Sequence, residues 1–143
     1  MIKREDGYVL STEPERVDVD LVHRWLSTDA YWAMGRPRDL VVRALEGSLV
    51  FGVYRPDDGV QVAFARVVTD GVTFAWLCDV YVERSERGRG LGTWMVGEIR
   101  DDLTARGVRR ILLATADAHE VYAKVGFAAV AEPSRWMELD LRG

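Results

Sequence analysis

The period of the hydrophobic positions changes several times along the chain, and each change marks an element. Tyr8 to Ser11 is a short apolar run of strand type. In DVDLVHRWLS, residues Leu21, Val22, Trp25 and Leu26 recur at helical spacing, with Asp18 or Asp20 placed to cap the helix. A second helix is expected from Pro37, with Leu40, Val41, Ala44 and Leu45 on one face and Gly47 as its end. From Ser48 the pattern turns β-rich. Ser48 to Tyr54, Val60 to Thr69 and Val72 to Val82 are divided by Pro56-Asp57-Asp58-Gly59 and by Asp70-Gly71, which predicts an antiparallel meander with a tight Asp-Gly hairpin. Helical spacing returns in Leu91, Trp94, Met95, Ile99 and Leu103, and Gly107 stops it. Ile111 to Ala114 reads as a buried strand and Asp117 to Val125 as a short helix. Gly126-Phe127 turns the chain, and Phe127 to Ala131 and Trp136 to Leu141 read as closing strands. The expected fold is α/β: a mixed, mostly antiparallel sheet flanked by about four helices, with a strand–helix–strand crossover in its second half.

Nothing in the pattern divides the chain, so residues 1–143 are expected to form one domain with a core of its own. The net charge of −4 leaves no broad basic field, which argues against nucleic acid as the main partner. No apolar run is long enough to cross a membrane, and MIKREDGY has no signal-peptide core. The single cysteine, Cys78, gives neither a disulfide nor a cysteine metal site, so a cytoplasmic, reducing setting is expected. His23 and His119 lack a metal-ligand spacing, and no metal is expected. Cys78 reads as a small apolar side chain, and Trp76 and Trp136 read as core residues.

One stretch stands apart. Residues 87–92 read RGRGLG, between a strand and a helix. Such a turn exposes backbone N–H groups beside the unpaired first amides of the helix, where the helix dipole is positive. That is a site for an anion, phosphate above all. Arg87 and Arg89 add charge at its rim. A P-loop needs Gly-Lys-Ser/Thr, but Gly92 is followed by Thr93 and Trp94. A dinucleotide fingerprint needs a third glycine where Thr93 stands.

A third pattern fits. Arg87-Gly88-Arg89-Gly90-Leu91-Gly92 matches Arg/Gln-x-x-Gly-x-Gly/Ala after a strand ending Val80-Tyr81-Val82. In this the chain resembles the GNAT superfamily of N-acetyltransferases, which bind acetyl-coenzyme A. A second block, Asp117 to Phe127, is similar to the family's helix with a tyrosine, here Tyr122, followed by x-x-x-Gly-Phe. One helix and one strand separate the blocks, as in the family. The matched blocks cover residues 77–127, and the element order extends the resemblance over nearly the whole chain.

The resemblance implies acetyl-coenzyme A as co-substrate, its pyrophosphate held by the backbone of Arg87, Gly88, Arg89, Gly90, Gly92 and Thr93, and its pantetheine arm by Val80, Tyr81 and Val82. It implies Tyr122 as the acid for the leaving thiolate. It places Tyr31 and Trp32 in the segment that lines the acceptor pocket. Asp79 has two readings: it handles the acceptor amine, binding it or relaying its proton through water, or it is a strand residue paired with a base such as Arg66. The chain departs from the family at Thr115, where asparagine is frequent, and at Cys78, where polyamine acetyltransferases carry glutamate. The expected activity is transfer of an acetyl group to the primary amine of a small molecule. An acyl-coenzyme A-binding module without catalysis and a protein or peptide acetyltransferase stand as alternatives. A homodimer is among the states the resemblance allows.

Overall fold

The computed structural model describes all 143 residues. Six strands form one sheet in chain order: β1 (Ile2–Lys3), β2 (Val9–Ser11), β3 (Leu49–Tyr54), β4 (Gln61–Thr69), β5 (Ala75–Val82) and β6 (Ile111–Leu112). The first five pair antiparallel. β6 pairs parallel with β5, after the crossover through α3. Helices α1 (Val19–Thr28), α2 (Arg38–Glu46), α3 (Leu91–Ala105) and α4 (His119–Ala123) complete the architecture.

The expected helices form for the expected reasons. The Asp18 side chain caps α1 by accepting from the Leu21 amide at 3.1 Å. Pro37 precedes α2 with φ −64°, and Gly47 follows it. Both faces of the sheet are covered. Leu91, Met95, Val96, Ile99 and Leu103 of α3 pack on one face, against Phe51, Val53, Ala63, Ala65, Val67 and Leu77. On the other face, Val22, Trp25 and Leu26 of α1 and Val41 of α2 meet Val50, Phe64 and Tyr81. Strand alternation divides β4 between the faces, with Phe64 toward α1 and its neighbours Ala63 and Ala65 toward α3.

Several expectations are corrected. The Asp70-Gly71 hairpin is wider than a two-residue turn, because the ladder closes only at Thr69↔Ala75. The Asp70 carboxylate accepts from the amides of Val72 and Thr73 and from the Thr73 hydroxyl, and this local turn displaces the ladder. β6 stops at Leu112 rather than Ala114. The closing strands at 127–131 and 136–141 join no ladder. Trp76 and Trp136 are not core residues: each sits near or above one-third exposed, at 36% and 43%. Trp76 alternates outward between the buried Ala75 and Leu77, and the ring of Trp136 lies on the Arg110 guanidinium at 4.9 Å.

Ile99 on α3 is fully enclosed by sheet residues. Ile99→Ala should destabilise the chain by about 3 kcal/mol through lost burial and a residual cavity, read as a lowered midpoint in urea with unchanged slope.

Candidate active site

The sheet splits where β5 outruns β6. The two strands pair only at Ala75↔Ile111 and Trp76↔Leu112, and β5 continues to Val82 alone on that side. The backbone of Val80, Tyr81 and Val82 therefore borders an open wedge. On its other side β5 is kinked. Phe64↔Tyr81 is followed by Arg66↔Cys78, so β5 carries one extra residue. Asp79 sits in this bulge with φ 53°, the only non-glycine residue of the chain with positive φ.

At the end of β5 a short 3₁₀ turn, Arg84–Glu86, leads into the RGRGLG loop. Gly88 and Gly90 adopt φ 87° and 74°, which glycine allows without strain. Gly90 is the residue before α3 and offers no side-chain cap. From Gly88 to Thr93 six consecutive amides have no acceptor within the protein, and the ladder of α3 begins with Trp94 donating to the Gly90 carbonyl at 3.0 Å. A row of free amides at the N-terminus of a fifteen-residue helix is an anion cradle.

The loop arginines are less free than expected. Arg87 donates from Nε to the Val82 carbonyl at 2.9 Å and reaches Asp29 at 3.4 Å. Arg89 pairs with Glu86 at 3.2 Å. Glu86 is buried; it accepts from the Tyr8 hydroxyl at 2.5 Å and from Arg55 at 3.3 Å. Asp29, after α1, also takes the Tyr81 hydroxyl at 2.6 Å and the Arg84 guanidinium, and these, Arg84 first, hold its carboxyl down at about 2. Glu86 and Asp29 thus fasten the loop to Tyr8, just before β2, and to the end of α1. Neither was singled out in the sequence. The one signal was Glu86, an acid set between arginines in RSERGR.

Beyond the bulge, the segment between α1 and α2 arches over the wedge. Trp32 donates from Nε1 to Asp79 Oδ1 at 2.8 Å, and Arg36 donates to Oδ2 at 2.7 Å. Arg66 of β4 donates to the same Oδ2 at 2.6 Å. Tyr31 stacks edge-on to Trp32 and accepts at its hydroxyl from the Ala116 amide at 2.8 Å, beyond β6. Asp79 is 4% exposed. Burial alone would raise its pKa; the hydrogen bonds from Arg66 and Arg36 outweigh that and hold the carboxyl below its ordinary value. A carboxylate with three donors and a lowered pKa is a poor proton acceptor. Of the two readings of Asp79, the geometry displays the pairing with Arg66 and adds Arg36 and Trp32 as partners.

Tyr122, on α4, packs edge-on to Phe127, with ring centroids 5.9 Å apart. Its hydroxyl has no hydrogen-bond partner in the chain and remains solvent-accessible. Burial of the ring, then the nearby Tyr31 and Asp117, push its pKa up to about 12. It therefore stays a protonated donor throughout the neutral range. Cys78 is half-buried, and burial pushes its thiol up to about 11, which leaves it inert as a nucleophile. His23 bonds the Arg36 carbonyl at 3.1 Å, outside the wedge. No three His, Cys, Asp or Glu side chains gather as a metal site would require, and no helix is long and apolar enough to cross a membrane.

A sequence model described as the acetyltransferase (GNAT) family matches residues 19–127, which include both the loop and the Tyr122 helix. The chain belongs to the GNAT acetyltransferase family. A crystal structure from Xanthomonas campestris pv. campestris, of a protein assigned to the same family, shares 42% identity over 94% of each chain with a TM-score of 0.88. A rice protein, serotonin N-acetyltransferase 2, is 38% identical over 71% of this GNAT chain, which spans 53% of that relative. A Clostridium acetobutylicum protein solved with acetyl-CoA has the same fold at TM-score 0.70, with 18% identity, covering 94% of this chain and 96% of its own.

Asp79→Asn removes the charge that two arginines share in a half-dry setting. It should destabilise this GNAT chain by about 3 kcal/mol in urea at neutral pH. Because the folded pKa is lowered, the contribution is complete above about pH 4 and is lost as the pH falls through the folded value. The difference between wild type and Asp79→Asn should therefore shrink in acid. A gap that does not narrow in acid would mean the clamp is not ionic.

Proposed function

We propose that the chain is an acetyl-CoA-dependent N-acetyltransferase acting on the primary amine of a small molecule with a flat apolar body. The observation that carries this is the run of six unpaired amides from Gly88 to Thr93 beside a split sheet, with a free Tyr122 hydroxyl on the helix beyond the split. The cradle suits the pyrophosphate of coenzyme A, held by the amides from Gly88 to Thr93 with Arg87 and Arg89 at the rim. The free backbone edge at Val80, Tyr81 and Val82 suits the amides of the pantetheine arm. The relative solved with acetyl-CoA supports the choice of ligand.

The amine nitrogen attacks the acetyl carbonyl carbon directly. The C–S bond breaks, and the departing thiolate takes the Tyr122 proton. The new ammonium centre gives its proton to water, and the phenolate is reprotonated from solvent. A backbone N–H near Val80 would stabilise the developing oxyanion. No free carboxylate serves as base, so the amine attacks in its neutral form after losing its proton to water.

The acceptor side supports an uncharged, apolar body. Tyr31 and Trp32 are 52% and 39% exposed although they form an aromatic pair, which leaves ring surface open to a ligand. Behind them Arg36, Arg66 and Asp79 sum to one positive charge, which disfavours a polycation and agrees with Cys78 standing where polyamine enzymes carry glutamate. The rice relative named for serotonin acetylation supports an arylalkyl amine as the first acceptor to test.

The melting temperature with acetyl-CoA, with ATP and with NAD tests the cradle. At about 100 times the dissociation constant, binding adds roughly 2.7 kcal/mol, and acetyl-CoA alone should produce the shift. Gly90→Asp is the matching variant: aspartate tolerates the left-handed backbone and caps the helix, yet puts its carboxylate in the anion's place. It should fold and lose the acetyl-CoA shift. Tyr122→Phe should lower kcat by about a hundredfold or more in a thiol-release assay with an arylalkyl amine, with KM for acetyl-CoA nearly unchanged. An unaltered kcat would remove Tyr122 from the chemistry.

A further inference from the structure

The clamp on Asp79 is unbalanced. Arg36 and Arg66 both donate to its Oδ2, at 2.7 and 2.6 Å, and neither meets another carboxylate. Two guanidinium groups against one carboxylate leave a surplus positive charge. Water screens it poorly, because each of the two arginine side chains is only 17% exposed. A charge so placed gains much from a counter-ion that comes with its own hydrogen-bond acceptors.

The donors are unspent as well. Arg36 uses Nη1 alone, so its Nε and Nη2 have no partner in the chain. That side edge of a guanidinium is the one that grips a carboxylate through two parallel N–H···O bonds. Arg66 donates from Nε to Asp79 and from Nη1 to the Ser48 hydroxyl at 3.3 Å, which leaves its Nη2. None of these nitrogens is sealed off, since no fully buried side-chain nitrogen or oxygen of the chain lacks a partner. The surroundings are apolar. Across the β4–β5 ladder Arg66 faces Cys78 and Val68 faces Trp76. Val68 and Trp76 are partly exposed, so a shelf of apolar surface runs up to the guanidinium groups. Trp32, bonded to the same Asp79, stands beside it. One surplus charge over an apolar floor suits a planar monoanion better than a phosphate.

We propose, on the N-acetyltransferase reading above, that Arg36 and Arg66 form an anion subsite for the acceptor. The acceptor is then an aromatic amino acid: an arylalkyl amine with a carboxylate beside its nitrogen. Its flat body lies against Tyr31 and Trp32, and its carboxylate takes the free edge of Arg36 and the Nη2 of Arg66. Asp79 directly precedes Val80, where the acetyl carbonyl is expected. Anion and attacked carbon are therefore neighbours along β5, which fits a carboxylate one carbon from the amine. Asp79 has a part in this too. It holds both guanidinium groups in place and leaves the pair with charge enough for one more carboxylate.

Three matched acceptors test this with the full chain and acetyl-CoA in a thiol-release assay: racemic tryptophan, its amide and tryptamine. With rates referred to the neutral amine, kcat/KM for tryptophan should exceed that for the amide by about tenfold or more, carried by KM. Arg36→Gln brings the cluster to zero net charge and should bring acid and amide near parity. A variant that slows all three acceptors together and keeps their ratio would show a structural role only and overturn the subsite. Equal values for acid and amide in the wild type would overturn it as well, whether or not the variant folds. Isothermal titration of the wild type with indole-3-propionate and indole-3-propionamide, which have no amine, separates the subsite from the chemistry. Should none of the three acceptors be acetylated, the reading of the chain as an acetyltransferase for aromatic amines fails. Tighter binding of the propionate would still uphold the subsite, and equal binding would overturn it.

Discussion

One buried carboxylate holds three separate parts of this chain in register. Asp79 stands in a left-handed bulge of β5 and accepts from Trp32 and Arg36 of the α1–α2 segment and from Arg66 of β4. Removing a charge from water is costly, and only dense hydrogen bonding offsets it. Three donors on one small group meet that demand, and the geometry they impose follows. The bulge re-aims the end of β5, the α1–α2 segment is drawn across the wedge, and Tyr31 reaches the Ala116 amide on the far side. The candidate acceptor wall thus follows from satisfying one buried carboxylate.

The loop follows a related economy of charge. Its two arginines look in the sequence like the source of anion affinity, yet both are met by carboxylates, Arg87 by Asp29 and Arg89 by Glu86. What remains uncompensated is the backbone. Six amides point to no acceptor, and their field is fixed by the fold rather than by flexible side chains. The arginines, Glu86 and Asp29 tie the loop down, and its amides are left unpaired.

Much of this was legible in the residues. The helices α1, α2 and α3 and the meander of β3, β4 and β5 declare themselves through period and caps, since each is amphipathic and locally closed. The loop was found because glycine spacing is a backbone property that survives without context. The Asp79 clamp was half visible: an acid inside WLCDVYV is conspicuous, and Arg66 lies across the ladder, but Trp32 and Arg36 arrive from a distant segment with no periodic signature. Trp76 and Trp136 were misplaced because size and apolarity do not tell whether a helix lies over a position: Trp76 faces outward between Ala75 and Leu77, and Trp136 belongs to no strand. The closing strands were misjudged for a different reason. Their alternation is genuine, but alternation states that a segment suits a sheet, not that it joins one.

The single parallel ladder, two residue pairs between β5 and β6, has a consequence for the order of assembly. The antiparallel strands β3 to β5 are joined by short turns, so their contacts close at little entropic loss. The β5–β6 contact must wait for the loop, all of α3 and the chain beyond it to be gathered first. The wedge is therefore a late product of folding and rests on a ladder of only two residue pairs, as short as the one between β1 and β2. Such a seam opens at a lower free energy than the meander behind it. The wedge is thus the part of the sheet that the chain completes last and with few hydrogen bonds of its own.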